Sequence, residues 1–132
     1  MPGEGLKNRR IGCGLLAGVV VLLVLVSTLT ASPFTFTAMQ GDDLHAMTFP
    51  AGADPTEIAE AAREKCTQAS ICSVYGWAEG GQVAGALPMT EREAATLAFQ
   101  YSLNRNTGLD RTLFDCARFP RTNRSECLAK EG

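Results

Sequence analysis

Apolar residues form one long uninterrupted run near the start of the chain and shorter, periodic groups after it. The run extends from Ile11 to Ala31 and contains no charged side chain. As a helix with a rise of about 1.5 Å per residue, it would be about 31 Å long, close to the thickness of the hydrocarbon core of a bilayer. Such a helix would be apolar on every side, which does not suit the surface of a soluble domain. We therefore predict a transmembrane helix over residues 11–31.

The basic residues on either side of this run predict its orientation. Lys7, Arg9 and Arg10 precede it, and no further lysine or arginine occurs before Arg63. Positive charge is retained on the cytoplasmic side when a helix inserts into the membrane. We therefore predict a cytoplasmic tail over residues 1–10 and an external location for everything after the helix.

A cleaved signal peptide is the alternative interpretation of the same run. The apolar core of a signal peptide spans about 7–15 residues and ends in a small-x-small cleavage site. The run in this chain is longer, and Thr30-Ala31-Ser32-Pro33 at its end is a poor cleavage site. Both features favour a retained anchor.

The residues that follow the anchor predict a stalk and the first half of a folded domain. Residues 32–43 combine small, polar and aromatic side chains and predict an extended stalk. Leu44 to Phe49 predicts a short strand. From Asp54 to Ala69, apolar residues recur with helical spacing after an aspartate that suits the N-cap position. Ile71 to Trp77 predicts a buried strand whose small residues, Cys72, Val74 and Gly76, face a covering helix.

The second half of the domain predicts a hairpin between two short helical segments. A capping-box sequence at Thr90 opens a short helix through about Ala95. Leu97 to Leu103 then alternates apolar and polar residues, which indicates a strand with one buried face. The turn sequence before Gly108 leads into a partner strand from Leu109 to Cys116. Asn123 can cap a last short helix carrying Cys127 and Leu128.

These elements predict an α+β fold. Residues 44–132 would form one small domain with a mixed sheet, built from a strand–helix–strand unit and a hairpin. The helix from Asp54 would cover one face of that sheet. With the single transmembrane helix at the N-terminus, the chain would be a membrane-anchored external domain.

Four cysteines lie beyond the predicted anchor, at positions 66, 72, 116 and 127. An even number of cysteines in a small external domain indicates two disulfides formed in an oxidising compartment. Four cysteines allow three pairings. We predict Cys66–Cys72, because the end of the helix returns directly to the next strand, and Cys116–Cys127, which would tie the C-terminal segment to the hairpin.

The same cysteines do not have the spacing of a metal or redox site. Structural zinc sites use C-x₂₋₄-C pairs or nearby histidines, whereas the spacings here are C-x₅-C and C-x₁₀-C and the only histidine is His45. We therefore expect no metal and no cofactor. His45 is a candidate base or pH sensor, but no nucleophile accompanies it in a recognisable motif, and a hydrogen-bonded structural histidine is the favoured interpretation.

Charge is distributed unevenly along the external part. Residues 42–93 contain nine acidic and three basic residues, whereas residues 105–124 contain five arginines and two aspartates. The two regions could form opposite faces of the domain or could be ion-pair partners of each other. The external part as a whole is acidic, which does not indicate nucleic-acid binding.

Four residues are candidates for contact with a partner. Arg118, Arg121 and Arg124 cluster in the basic region, and we expect them to be exposed and to contact an anionic partner. Trp77 is the only tryptophan. It could be a platform for a ligand or partner, or a large anchor in the core, and the core anchor is the favoured interpretation.

Three motifs carry a resemblance. They are C-S-V-Y-G-W from Cys72 to Trp77, F-x-Y-S-x-x-R-x-x-G-L from Phe99 to Leu109, and C-x-R-F-P from Cys116 to Pro120. Over roughly Ala46 to Cys127, the chain resembles small uncharacterised membrane-anchored proteins of alphaproteobacteria. The resemblance implies a bacterial envelope setting with the periplasm as the outer compartment, so the predicted single-pass chain would lie in the inner membrane with its C-terminal domain in the periplasm. It implies no catalytic residues.

The sequence favours a non-enzymatic function. We expect an interaction or accessory module, one subunit of an envelope or membrane protein complex, that contacts the lipid bilayer through residues 11–31. A domain that binds lipid or a small ligand is an alternative. A periplasmic hydrolase is a weaker alternative, because a single histidine removes most designs that pair a nucleophile with a base.

Overall fold

A computed structural model describes residues 32–130 of the chain. The predicted cytoplasmic tail and transmembrane helix, residues 1–31, lie outside the described residues. Within residues 32–130, no helix combines the length and the apolar character needed to cross a bilayer.

Residues 32–130 form five strands, two α-helices and a short 3₁₀-helix. In chain order these are β1 (Thr35–Gln40), β2 (Leu44–Phe49), α1 (Pro55–Lys65), β3 (Ile71–Ala78), α2 (Glu91–Thr96), β4 (Leu97–Asn104), β5 (Leu109–Phe114) and the 3₁₀-helix Arg124–Glu126. The strands make one sheet in the order β1-β2-β3-β4-β5. Strands β2 and β3 are parallel, and the other three pairs are antiparallel. The expected small mixed sheet of an α+β fold is therefore confirmed for this part of the chain.

The predicted stalk is wrong for residues 35–40, which form strand β1. This strand pairs antiparallel with β2 through a tight connection in which Gly41 adopts a φ of 62°. That positive φ is open to glycine at little cost and lets the chain reverse. The β-branched and aromatic residues of TFTAMQ fit a pleated strand, and the sheet gains a fifth strand beyond those predicted.

Helix α1 begins as predicted and ends earlier. The Asp54 carboxylate accepts a hydrogen bond from the N–H of Thr56 at 2.7 Å, and Pro55 occupies the first turn. The helix ends at Lys65, four residues before the predicted end, and Cys66 is its C-cap residue. The N–H of Cys66 still bonds the carbonyl groups of Ala62 and Arg63, which closes the last turn.

The main core lies between α1 and one face of the sheet. Small side chains on α1, among them Ala59 and Ala62, let the helix lie close to the strands. Val74 and Phe99 meet the helix from the sheet side, and both are fully buried. This is the arrangement predicted for the small residues of β3.

An aromatic cluster closes the β5 end of this core. The ring centroids of Phe99 and Phe114 are 5.2 Å apart, and Phe119 packs against Phe114 with its ring centroid at 5.7 Å. Phe119 belongs to the segment after β5, so its burial attaches that segment to the domain.

A second, smaller core covers one end of the opposite sheet face. It is built around Trp77, with Ala46, Ala84 and Leu97 buried beside it. The Trp77 Nε1–H donates a hydrogen bond to the carbonyl of Glu93 at 2.9 Å, which attaches α2 to β3. Helix α2 opens with the predicted capping box.

Both predicted disulfides are confirmed. Cys66 pairs with Cys72, joining the end of α1 to β3, and Cys116 pairs with Cys127. Both sulfurs of the first pair belong to the main core, since Cys66 is on the inward side of α1 and Cys72 on the helix-covered face of β3.

Candidate functional site

The candidate site is the segment closed by the Cys116–Cys127 disulfide, residues 116–127, which we call the arginine loop. It holds Arg118, Arg121 and Arg124 and one acidic residue, Glu126. Three of its twelve residues are therefore arginines, and the loop has a local excess of positive charge.

The start of the arginine loop is fixed by Asp115. The Asp115 carbonyl accepts hydrogen bonds from the N–H groups of Arg118 at 3.1 Å and Phe119 at 2.8 Å. Its carboxylate accepts from the N–H of Ala117 at 3.2 Å. This turn directs Phe119 into the core, so the first arginines of the loop are held on a short, anchored backbone.

The end of the arginine loop is fixed against β5. The N–H of Leu128 donates to the carbonyl of Phe114 at 2.8 Å, next to a single parallel bridge between Phe114 and Cys127. Arg111 of β5 adds a hydrogen bond from its Nη2 to the carbonyl of Ser125 at 3.0 Å. With the disulfide, these bonds hold both ends of the loop in place.

Arg121 lies deeper than predicted. Its guanidinium carbon is 4.1 Å from the centroid of the Phe114 ring, a cation–π contact. The side chain is half-buried, and its Nε–H is buried without a hydrogen-bond acceptor within residues 32–130. A buried donor without an acceptor costs about 1–3 kcal/mol. The expectation that all three arginines are largely exposed is therefore wrong for Arg121.

Arg118 and Arg124 are exposed, as expected. Within residues 32–130 the single ion pair joins Lys130 to Asp115 at 3.0 Å. None of the three loop arginines therefore has a carboxylate partner in the described part of the chain. The ion-pair interpretation of the uneven charge distribution does not apply to this loop.

A surface cavity of about 360 Å³ lies within the arginine loop. The residues that line it belong to both ends and the middle of the loop: Cys116, Ala117, Pro120, Arg121, Arg124 and Cys127. Two arginines, Arg121 and Arg124, therefore border one depression together with both cysteines of the disulfide. Guanidinium groups recognise carboxylate and phosphate oxygens in paired hydrogen bonds, so this depression suits an anionic group.

Arg118 borders a different depression. This second cavity, of about 310 Å³, lies between the end of β3 and the start of the arginine loop and is also lined by Glu79, Thr96 and Asp115. Its lining carries charges of both signs, which makes it a weaker anion site than the first. The structure thus separates Arg118 from the pair formed by Arg121 and Arg124, while keeping all three on one loop.

The structure corrects the candidate role of Trp77 in partner contact. The side chain is fully buried, and its one polar atom is bonded to Glu93. It therefore serves as the core anchor that the sequence analysis favoured and presents no surface to a partner.

Two titratable residues of the described part of the chain have pKa values that depart from their usual ones. Burial and the charge of Lys65 lower the pKa of His45 below its usual range, although Asp42 and Asp43 oppose this. Burial, followed by Asp110, raises the pKa of Tyr101. These two residues take part in different strands, and within residues 32–130 no group of three histidine, cysteine or acidic side chains could hold a metal ion.

The residue pattern does not predict the buried position of Arg121. Alternation along β5 places Phe114 on the helix-covered face, but nothing in the residue pattern shows that a later arginine folds back over its ring. The spacing of the disulfide was the available signal, because it requires residues 116–127 to return to the end of β5.

Comparison with protein-family models, with curated proteins and with solved structures finds no match to this chain.

Proposed function

We propose that the protein is a membrane-anchored periplasmic interaction module, an accessory subunit of an envelope or membrane protein complex. In this proposal residues 11–31 hold the chain in the inner membrane, and the arginine loop contacts an acidic face of a membrane-protein partner. The domain contributes a binding surface and carries no catalytic step.

The observation that carries the proposal is positive charge that remains unpaired on a fixed backbone. Arg121 and Arg124 border one depression and form no ion pair within residues 32–130. The disulfide and the Leu128–Phe114 hydrogen bond hold that loop before any partner arrives. A surface that is already ordered loses less conformational entropy on binding, which favours recognition over a purely structural role.

Arg121 and Arg124 define where an anionic group of the partner would bind. The Nε–H of Arg121 is buried and has no acceptor within residues 32–130, so a partner would contact the other N–H groups of its guanidinium. A carboxylate that entered the depression could accept hydrogen bonds from the terminal N–H groups of Arg121 and from Arg124.

Two features support the periplasmic location. The first is the uncharged run from Ile11 to Ala31 with its basic residues on the N-terminal side. The second is the pair of disulfides, which form and persist in oxidising compartments. A reporter that is active only in the periplasm should be active when fused after Gly132, and the intact mass should correspond to a chain that begins near Met1. A mature chain that begins near Ser32 would contradict the anchor.

The partner contact can be tested by affinity purification of the full chain from detergent-solubilised membranes. We expect a defined membrane protein to be recovered at about 0.1 M salt and largely lost at about 1 M, where the Debye length falls from about 10 Å to about 3 Å. Recovery that does not change with salt would contradict an electrostatic contact by exposed arginines.

Binding to anionic lipid is the alternative that the same cavity favours. Its test uses vesicles with and without an anionic phospholipid, presented to the full chain in nanodiscs of neutral lipid. Salt-sensitive binding to the anionic vesicles, with no protein recovered from membranes, would replace the protein partner with a lipid headgroup.

A further inference from the structure

Strand β1 leaves one edge of the sheet open. Among the strands of the described residues it is the first in the order β1-β2-β3-β4-β5, and there it pairs only with β2. Within residues 32–130, no hydrogen bond is made by the backbone groups of residues 35–40 that point away from β2. Four of the six residues are exposed, and none is charged. Natural proteins usually protect such an edge with lysine, proline or a covering segment, because it is a template for pairing with another strand.

The opposite edge of the sheet is protected. Residues 124–128 run alongside the end of β5, where Leu128 bonds Phe114 and Arg111 bonds Ser125. Strand β5 also carries the charged residues Asp110 and Arg111. The edge at β5 is therefore covered and carries charged residues, whereas the edge at β1 is open and carries only neutral side chains. An open, uncharged edge is what we expect of a strand that pairs with another strand.

We propose that β1 pairs with β1 of a second copy of this chain, antiparallel, so that two sheets become one continuous ten-stranded sheet. A twofold axis perpendicular to the sheet passes beside Thr37, so that Thr37 lies opposite Thr37 of the second copy. This register pairs the part of β1 that precedes the irregularity after Ala38. This places Phe36 opposite the second copy's Ala38 on the helix-covered face. A twofold axis makes both copies use the same surface.

The residues of β1 fit this self-pairing. Residues opposite each other in an antiparallel pair lie on the same face, and like charges in such positions are destabilising. In TFTAMQ there is no charge to repel its own copy. The ammonium group of Lys65 lies above the Phe36 ring, with its Nζ 5.5 Å from the ring centroid. It covers the face of that ring and does not occupy the backbone edge.

The chain outside the described residues favours a second copy over an unrelated strand. The uncharged run ends at Ala31 and β1 begins at Thr35, so only three residues of sequence separate the proposed anchor from the strand with the open edge. Anchored copies share one plane, which raises their effective concentration for each other. This step rests on the proposed anchor, whereas the open edge itself does not.

The pairing can be tested by cross-linking the full chain in detergent. Thr37 is exposed and would face its own copy across the axis, so Thr37→Cys on a Cys13→Ser background should give mostly cross-linked dimer with a short bismaleimide. The matched control is Thr107→Cys, an exposed threonine in the β4–β5 turn, which should remain largely uncross-linked. Equal cross-linking at both positions would indicate random collision and overturn the proposal.

A second measurement separates β1 pairing from association through the membrane segment. Thr37→Lys places two ammonium groups opposite each other, and its protein mass in detergent should fall by half, to the 14.0 kDa of one chain. Thr37→Val keeps a neutral β-branched residue and should keep the dimer mass. A monomeric wild-type chain, or equal masses for the two variants, would overturn the proposal. Neither result depends on the salt-sensitive partner contact, so the two proposals can fail separately.

Discussion

The fold requires a glycine at position 76, because neighbouring atoms leave no room for a side chain. A Cβ at this position would lie 3.1 Å from Cε1 of Phe49 and 3.1 Å from Cβ of Phe99. Both rings are fully buried, so neither can move aside freely. The close approach of β3 to these rings explains why a glycine occupies the middle of a buried strand, where it would otherwise weaken pairing.

Gly76→Ala should therefore destabilise the domain. Overpacking of a filled core costs about 1–3 kcal/mol, and chemical denaturation of the full chain in detergent measures it. The control is Gly85→Ala, because no atom lies within 4 Å of a Cβ at that position. It should change the free energy of unfolding by less than about 0.5 kcal/mol. Equal stability of the two variants would contradict the packing described for β3.

His45 makes stability depend on pH. Burial, and then Lys65, lower its pKa below the usual 6.5 in the folded chain, so the unfolded chain binds the proton more readily. The contribution of His45 is therefore complete above about pH 6.5 and is lost as the pH falls towards the folded-state pKa. His45→Gln should show a smaller loss of stability between about pH 7 and pH 5 than the wild-type chain. Identical pH profiles would show that His45 is solvated as in the unfolded chain.

Single residues were predicted well where local spacing constrains them. Cys66 and Cys72 were paired correctly because a helix that returns directly to a strand brings its last turn near the strand's start. Arg121 was misplaced because its contact with Phe114 depends on how a loop folds back, and no local pattern encodes that. The same limit applies to Trp77, for which the sequence left two interpretations open.

Strands and helices with a local sequence signal were also predicted better than those that depend on contacts with distant segments. Strand β4 and the capping box of α2 were recognised because alternation and N-cap chemistry are local signals. Strand β1 was missed although Thr35 to Ala38 alternates polar and apolar residues, because the alternation stops at Met39 and the strand depends on pairing with β2. Helix α1 ends at Lys65, earlier than its apolar spacing predicted, where Cys66 caps it and begins the return to β3.

The two disulfides should differ in their effect on function. Each closes a short loop, with sequence separations of 6 and 11 residues, and loops of this size contribute about 2–3 kcal/mol in the chain-entropy model. Cys66→Ser/Cys72→Ser and Cys116→Ser/Cys127→Ser should therefore both lower stability, the first pair by more because its hydroxyl groups would lie in the main core. Only the loss of Cys116–Cys127 releases the ends of the arginine loop. Only the Cys116→Ser/Cys127→Ser variant should therefore lose the salt-sensitive partner.

This comparison is made at a temperature where both variants remain folded, as judged by circular dichroism. Partner recovery that falls equally in the two variants would assign the effect to general destabilisation. Full recovery by Cys116→Ser/Cys127→Ser would show that the order of residues 116–127 does not matter for binding.

For the whole molecule, the sequence predicted the architecture better than the surfaces. The mixed sheet, its covering helix and the two disulfides follow from periodicity and cysteine spacing. The open edge of β1 and the depression beside Arg121 and Arg124 are set by contacts between distant segments, which residue patterns do not describe. The proposed functions rest on those surfaces.

The most direct test of the interaction module compares two matched double substitutions. Arg118→Ala/Arg124→Ala removes the two exposed arginines of the arginine loop, and Arg63→Ala/Arg92→Ala removes two exposed arginines on the helices. Both variants remove two positive charges, so a difference in partner recovery between them depends on where the arginines lie and not on the net charge. The measurement is the fraction of partner recovered from detergent-solubilised membranes at about 0.1 M salt.

We expect recovery by Arg118→Ala/Arg124→Ala to fall at least about fivefold, since hydrogen bonds to charged groups contribute about 1.5–3 kcal/mol. Recovery by Arg63→Ala/Arg92→Ala should stay close to that of the wild-type chain. Equal recovery by the two variants would contradict the assignment of the arginine loop as the contact surface.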